Sequence, residues 1–377
     1  MVEGLLIASQ FPPAKGGIQE YLYNLYAHLP EGMFKILARA QPGGIEFDRS
    51  SKVDVTRVRC PGGVGYLKHI PFLASAMRNI GRGKVRQVHC GIALPDGMVG
   101  YALKRLTGRP YLVFAYGSEL YDAPGRASVA RRVLRDADLV VPISRFTRSR
   151  LLELGVDESR IEILHPAVDT DFFSPGERDD VLASALGLAG RKVILSIGRL
   201  VERKGFDTVI RALPQVLKTV PNACYVMAGG GEYSSELKKL RDQLGLQDHV
   251  VFAGSPDREA IPAYYRLCDV FVMPSRTLSG SQCEGFGIVF LEAAASGRPA
   301  IGGLSGGIPD AIVDGVTGHL VDPTDVGALA ERIISLLTDP ELAKSMGQAA
   351  RQRAVEEFQV GTQARRLCDL MDRIPER

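Results

Sequence analysis

Short apolar, β-branched runs recur along the whole chain, each followed by a stretch of helical periodicity. GLLIAS, FKILAR, VDVTRVRC, RQVHCG, PYLVFAYG, DLVVPIS and IEILHP carry the pattern in the first half. RKVILSIG, ACYVMAG, HVVFAG, VFVMPS, RPAIGG and GHLVD carry it in the second. Apolar runs alternating with helical segments predict an α/β protein whose parallel sheets are covered by helices. At 377 residues the chain is too long for one compact core, so two domains are expected. Between the halves, DTDFFSPGERDD is rich in charge, proline and glycine and has no periodicity, which marks a boundary. We therefore expect an N-terminal domain over 1–175 and a second domain over 176–355. One long final helix, ELAKSMGQAARQRAVEEFQVGTQARRLCDLMDRI, is expected to break at Gly361-Thr362, with the C-terminal helix of 356–377 crossing back to the first domain. Two open α/β sheets facing each other leave a cleft at the carboxyl ends of their strands, where such folds bind ligands. Chemistry is thus to be sought in the strand-to-helix loops.

Several function classes are disfavoured before any loop is considered. No apolar run reaches the ~18 residues of a membrane span. The N-terminus, MVEGLLIASQFPP, has Glu3 where a signal peptide needs positive charge, so it reads as a buried first strand. The six cysteines show no CxxC spacing, and several lie in apolar segments, which fits a thiol-reduced, cytoplasmic protein. The six histidines are scattered without HExxH or Cys/His clusters, so no structural metal is expected. Charge is uneven: residues 1–175 hold 23 Lys+Arg against 17 Asp+Glu, and the remainder holds 23 against 26. Between Asp54 and Asp96 there is no acid, while Arg57, Arg59, Lys68, Arg78, Arg82, Lys84 and Arg86 all fall there. That segment, 55–95, reads either as a solvated helix face or as a contact for an acidic lipid or phosphate-bearing partner. Nucleic acid is not expected, because the cations lack interleaved stacking aromatics and no known nucleic-acid module is present.

Four loops carry candidate chemistry. In SQFPPAKGGIQEYLYNLYAHLP, the apolar spacing of Ile18, Leu22, Leu25 and Leu29 starts a helix at about Gly17. Gly16 and Gly17 then lie at a helix N-terminus, where bare amides favour an anion, although a plain tight turn fits as well. In VILSIGRLVERKGFDTVI, Arg199 and Lys204 flank a loop ahead of a helix beginning near Asp207. Cations there oppose the helix dipole and make sense if an anion lies between them, the alternative being a solvated basic loop. Gly229-Gly230-Gly231 follows a strand without GxGxxG spacing, leaving a nucleotide turn and a simple turn both open. In CEGFGIVFLEAAASGRP, Glu284 precedes a helix and Glu292 lies inside it. Their eight-residue separation is about 80° off a whole number of turns, so the two carboxylates do not share one face. The amides of Phe286, Gly287 and Ile288 open that helix. A nucleotide sugar laid across it could place sugar hydroxyls on Glu284, oxygens on the amides and a ribose diol on Glu292. Two unrelated glutamates are the plainer alternative.

EGFGIVFLE resembles the Glu-x7-Glu motif of glycosyltransferase family 4, retaining enzymes of the GT-B fold. The resemblance extends through FPPAKGGIQEYL, SRFTRSRL, PAVDTDFF, GRLVERKGFDTVI, MAGGGEY, FAGSPDREAIPAYY, DVFVMPSR and SGGIPDAIVDGVTGHLVD. MPSRTLSGSQCEGFGIVFLEA is most similar to the PimB-type mannosyltransferases, which use GDP-mannose and a phosphatidylinositol mannoside acceptor. The resemblance implies two Rossmann-like domains, the first for an acceptor and the second for a nucleotide-sugar donor. It implies that Arg199 and Lys204 hold the donor diphosphate, with Gly16 and Gly17 facing it. Glu284 would touch the hexose and Glu292 the ribose, while the amides from Gly285 through Phe286 and Gly287 to Ile288 support sugar and phosphate. Where many members carry His-Gly, this chain has Tyr116 in VFAYGSELYD. A phenol donates a hydrogen bond but is no base at neutral pH, which departs from any scheme using a histidine there. Glu119 is the nearest acid and reads as a helix-start residue.

The implied mechanism needs no strong protein base. Arg199, Lys204 and helix amides stabilise the leaving diphosphate, and a phosphate oxygen takes the acceptor's proton. No cofactor and no metal are expected. Asp169-Thr170-Asp171 spells DxD but follows a strand at the domain boundary and reads as a turn. The leading expectation is a cytoplasmic, peripheral-membrane mannosyltransferase acting on a lipid-linked or glycan hydroxyl. A UDP-sugar enzyme of polysaccharide or small-glycoside synthesis is the near rival. A nucleotide-sugar epimerase or hydrolase of the same fold, and a dinucleotide-dependent oxidoreductase, are the rivals from other classes.

Overall fold

The computed structural model describes residues 4–14, 16–60, 69–82, 85–117, 124–278 and 283–374. The chain divides into two compact units: one ends at Ala167 and is rejoined from Val360, and the other runs Val168–Gln359. The first unit holds β1 (Gly4–Ala8), β2 (Phe34–Arg39), β3 (Asp54–Val58), β4 (Gln87–Cys90), β5 (Tyr111–Ala115) and β6 (Leu139–Pro142). The second holds β7 (Lys192–Ile197), β8 (Ala223–Ala228), β9 (Val250–Phe252), β10 (Val270–Met273), β11 (Ala300–Gly303) and β12 (Gly318–Val321).

All pairings are parallel, and the two sheets are wound alike. Their orders are β3-β2-β1-β4-β5-β6 and β12-β11-β10-β7-β8-β9. In each, the first strand of the unit lies beside the fourth, and the winding reverses between them. That reversal is the point at which doubly wound sheets place ligands. It falls between β1 and β4 in the first unit and between β7 and β10 in the second.

Apart from the edge strands β3 and β9, which are only partly buried, the strands are covered on both faces, which is why they read as apolar runs. In the second unit Ile194, Tyr225, Met227 and Val272 pack with Val209, Leu213, Leu329 and Ile333. The last four come from the helices Phe206–Thr219 and Val326–Thr338. Each such side chain contributes about 1.5–3 kcal/mol of hydrophobic stabilisation. In the first unit Leu5, Ile7, Val88, Val113 and Val140 form the equivalent core.

Three expectations are corrected. IEILHP is not a strand: Ile161 makes only a single bridge, to Val140. Leu164 N–H donates to the Pro142 carbonyl at 3.1 Å, but the return bond of the next bridge would need an amide proton that Pro142 lacks. The helix break falls earlier than Gly361-Thr362, which lie within the helix Val360–Met371. The preceding helix, Pro340–Glu357, stops where Phe358 buries its ring and gives its carbonyl to Val168 N–H at 2.9 Å. The same contact draws the segment 168–175 into the second unit.

Candidate functional site

At the switch point of the second unit, two loops are pressed together. The loop after β7 makes a short 3-10 turn, Glu202–Lys204, and leaves it through Gly205 at φ 75°. A Cβ on Gly205 would lie 2.2 Å from the Pro274 carbonyl oxygen, so glycine alone allows this approach to the end of β10. Arg276, just past β10, donates its backbone N–H to Arg203 O at 2.8 Å. Its guanidinium reaches Asp207 at 2.9 Å and the Thr208 hydroxyl at 3.2 Å. The Gly229-Gly230-Gly231 turn serves clearance as well, since a Cβ on Gly229 would meet Gly198 O at 1.9 Å.

This clamp brings Glu284 onto two cations. Its Oε2 accepts from Lys204 Nζ at 2.5 Å and from Arg203 Nη1 at 3.2 Å. The Glu284 and Lys204 side chains are only 15% and 11% exposed, so the pair is weakly screened by water. Burial pushes the Glu284 carboxyl up, but Lys204 and then Arg203 outweigh it and hold it below the ordinary glutamate range. Arg203 was not singled out in the sequence. The signal was its place beside Lys204: neighbours on a strand point apart, whereas the 3-10 turn delivers both to one carboxylate.

Arg199 stands exposed just past the end of β7 and makes no ion pair with another described residue. The helix after the acidic loop runs Ile288–Ala295, with Gly287 as N-cap at φ 91°. Gly285, Phe286, Gly287 and Ile288 therefore lead into its N-terminus. The Phe286 ring is buried and meets Phe358 edge-on at 5.9 Å, which anchors that backbone. Glu292 lies in the second turn. Its Oε2 accepts from the hydroxyl of Tyr265 at 2.7 Å, a contact absent from the sequence reading. Tyr265 is fully buried; burial and then the Glu292 charge raise its pKa well above normal, so it remains a donor. The second unit thus brings Lys204, Arg203 and Glu284 into contact, with Arg199 on the same loop and Glu292 on the adjoining helix.

The remaining candidates belong to the first unit. Gly16 and Gly17 are exposed at the N-terminus of the helix Gly17–Ala27. Tyr116 follows β5 directly, is 5% exposed with its hydroxyl buried, and meets Tyr21 edge-on at 6.3 Å. Glu119 lies outside the described residues. At this unit's own switch point the buried Asp96 accepts Ser9 N–H on both oxygens at 3.1 Å. Burial raises its pKa to about 7 against the opposing Ser9 bonds.

Asp169 spends its carboxylate on a turn, accepting the amides of Asp171 and Phe172 at 3.0 and 2.9 Å. Among the described residues no group of three or more His, Cys, Asp or Glu could hold a metal ion. None of their helices is long and apolar enough to cross a membrane. Arg57, the first cation of the basic segment, is committed elsewhere: it pairs with Asp48 at 2.7 Å and donates to Pro12 O at 2.7 Å.

Two Rossmann-like units of six parallel strands each are the architecture of the GT-B fold. The crystal structure of Anabaena HepE in complex with UDP shares this fold at a TM-score of 0.85, with 21% identity, covering 99% of this chain and 100% of that one. The model of Glycosyl transferases group 1 matches residues 182–353, and that of Glycosyltransferase Family 4 matches 15–172. The chain is 37% identical to a GDP-mannose-dependent alpha-(1-6)-phosphatidylinositol monomannoside mannosyltransferase of Mycolicibacterium smegmatis, over 97% of each chain. It is 30% identical to a monoacylated-acceptor counterpart from Corynebacterium glutamicum, over 98% of each. The chain belongs to glycosyltransferase family 4, and it is a glycosyltransferase.

Proposed function

We propose that this enzyme transfers mannose from GDP-mannose to a hydroxyl of a phosphatidylinositol-linked mannoside. The supporting observation is the full-length identity with mannosyltransferases of that specificity, 37% over 97% of both chains for one of them. In this reading Lys204 and Arg199 take the donor diphosphate, with the amides from Gly285 to Ile288 beside it. Glu284 accepts from hydroxyls of the hexose, and Glu292 accepts from the ribose diol. Lys204 then has two claimants, the diphosphate and Glu284. Arg203 keeps the Glu284 charge compensated when Lys204 turns to the phosphates.

Departure of the diphosphate is the demanding step, and cations plus oriented amides stabilise the charge that develops there. The acceptor hydroxyl attacks from the face the diphosphate leaves, a phosphate oxygen takes its proton, and configuration is retained. In this reading the protein's cations supply the charge that a metal would otherwise supply, so activity is expected to survive chelation. Association with an anionic bilayer at the cytoplasmic face suits a lipid-linked acceptor. The helix Ile70–Arg82 buries Phe72 and Ala76 while exposing Ile70, Met77 and Arg78, which supports that reading.

Calorimetry with GDP and UDP tests the donor assignment. GDP should bind at least ten times more tightly, a difference of about 1.4 kcal/mol. Tight UDP binding without GDP binding would overturn it.

A further inference from the structure

The helix Pro124–Asp136 carries Ser128, Arg131, Arg132 and Arg135, a spacing that puts all four on one stripe. On the helix Asp96–Thr107, Tyr101 and Arg105 are one turn apart. These six side chains and Asp136 line a crevice of about 430 Å³ in the first unit. The depression is shallow and open to solvent, so a ligand there would be held by charge and not by enclosure.

Its one acid is already balanced. Asp136 pairs with Arg105 at 2.5 Å and with Lys104 at 3.6 Å, and Lys104 also meets Asp138 at 2.9 Å. The Arg105 guanidinium is further held over the Tyr101 ring at 5.1 Å from its centroid. Arg131, Arg132 and Arg135 are exposed and make no ion pair with another described residue. Cations one turn apart on a helix repel one another, and Asp136, four residues past Arg132, is engaged by Arg105 and Lys104. An oxyanion seated among them would relieve the repulsion, because guanidinium forks match phosphate oxygens in charge and geometry.

We propose that this crevice is a phosphate site, separate from the donor loops of the second unit, that takes a phosphate oxyanion. The phosphate could be borne by a phospholipid headgroup or be free in solution, and the two sources separate experimentally. The inference does not depend on the identity of the donor.

The test uses the full chain, the triple variant Arg131→Gln, Arg132→Gln, Arg135→Gln, and a control triple, Arg39→Gln, Arg49→Gln, Lys52→Gln. The control removes the same charge from exposed positions of the same unit. Circular dichroism and thermal unfolding establish that both are folded. Sedimentation with phosphatidylcholine vesicles, with and without phosphatidylinositol, reads the lipid arm. Calorimetry with inorganic phosphate reads the soluble arm, and the second unit's contribution is common to all three proteins. A headgroup site predicts that the crevice triple loses on the order of 100-fold in affinity for the anionic vesicles, with a much smaller loss in the control. Loss of inorganic phosphate binding in the crevice triple alone, with equal vesicle binding by both triples, assigns the site to soluble phosphate. Equal behaviour of the two triples toward both probes overturns the proposal and leaves an ordinary solvated arginine face.

Discussion

At the scale of single residues, Glu284 and Glu292 are separated by the groups that hold them. Glu284 is gripped by Lys204 and Arg203, and Glu292 by the Tyr265 hydroxyl. The proposed roles predict a kinetic split. Glu284→Gln should lower kcat by about 10²-fold with little change in nucleotide affinity, as for a lost transition-state contact. Glu292→Gln should weaken nucleotide binding about tenfold, as for a lost charged hydrogen bond. Steady-state kinetics with calorimetry checks both, and unchanged affinity and turnover in both variants would refute the two-ended grip. The pH dependence has two signs. Glu284 is held below its ordinary range, so its contribution to stability is present at neutral pH and is lost only as acid protonates it in the fold. Asp96 is raised to about 7, so stability is greatest with its proton on and falls as pH rises from the unfolded value of 3.8 towards 7. Asp96→Asn should therefore be more resistant to urea than the parent at pH ~8, by up to several kcal/mol, with the gap closing towards pH ~4. A gap that does not vary with pH would contradict this.

At the scale of elements, the site depends on how closely two loops approach. Gly205→Ala sets a Cβ against Pro274 O at 2.2 Å and strains a residue at φ 75°. It should cost about 1–3 kcal/mol in thermal unfolding. By displacing Lys204 it should also weaken nucleoside diphosphate binding, and normal stability and affinity would show that the approach is dispensable. The central strands of the second unit were legible because they are buried on both faces and so read as apolar runs. IEILHP carries the same pattern yet forms no strand, because what stops it is Pro142 on its neighbour, outside its own sequence. Lys204 and Glu284, which meet in the fold, were visible as charges beside helix starts. Arg203 and Tyr265 were not, because their partners lie 81 and 27 residues away, and side-chain contacts at that range leave no periodic trace.

At the scale of the whole molecule, two sheets of identical strand order carry different chemistry at the same topological position. The first places a buried carboxyl, Asp96, between its reversing strands; the second places an ion cluster. The basic excess belongs to the first unit's half of the chain, and the balance of the remainder is acidic. The donor reading consequently rests on a few placed cations and not on a broad positive field. The most direct measurement of the central claim is a competition between donors. The enzyme is given equimolar GDP-mannose and UDP-glucose with phosphatidylinositol monomannoside, and lipid product and released nucleotide are followed by mass spectrometry. The account predicts one added hexose per acceptor with stoichiometric GDP release. Release of UDP with the product, or nucleotide release without a glycosylated lipid, would contradict it.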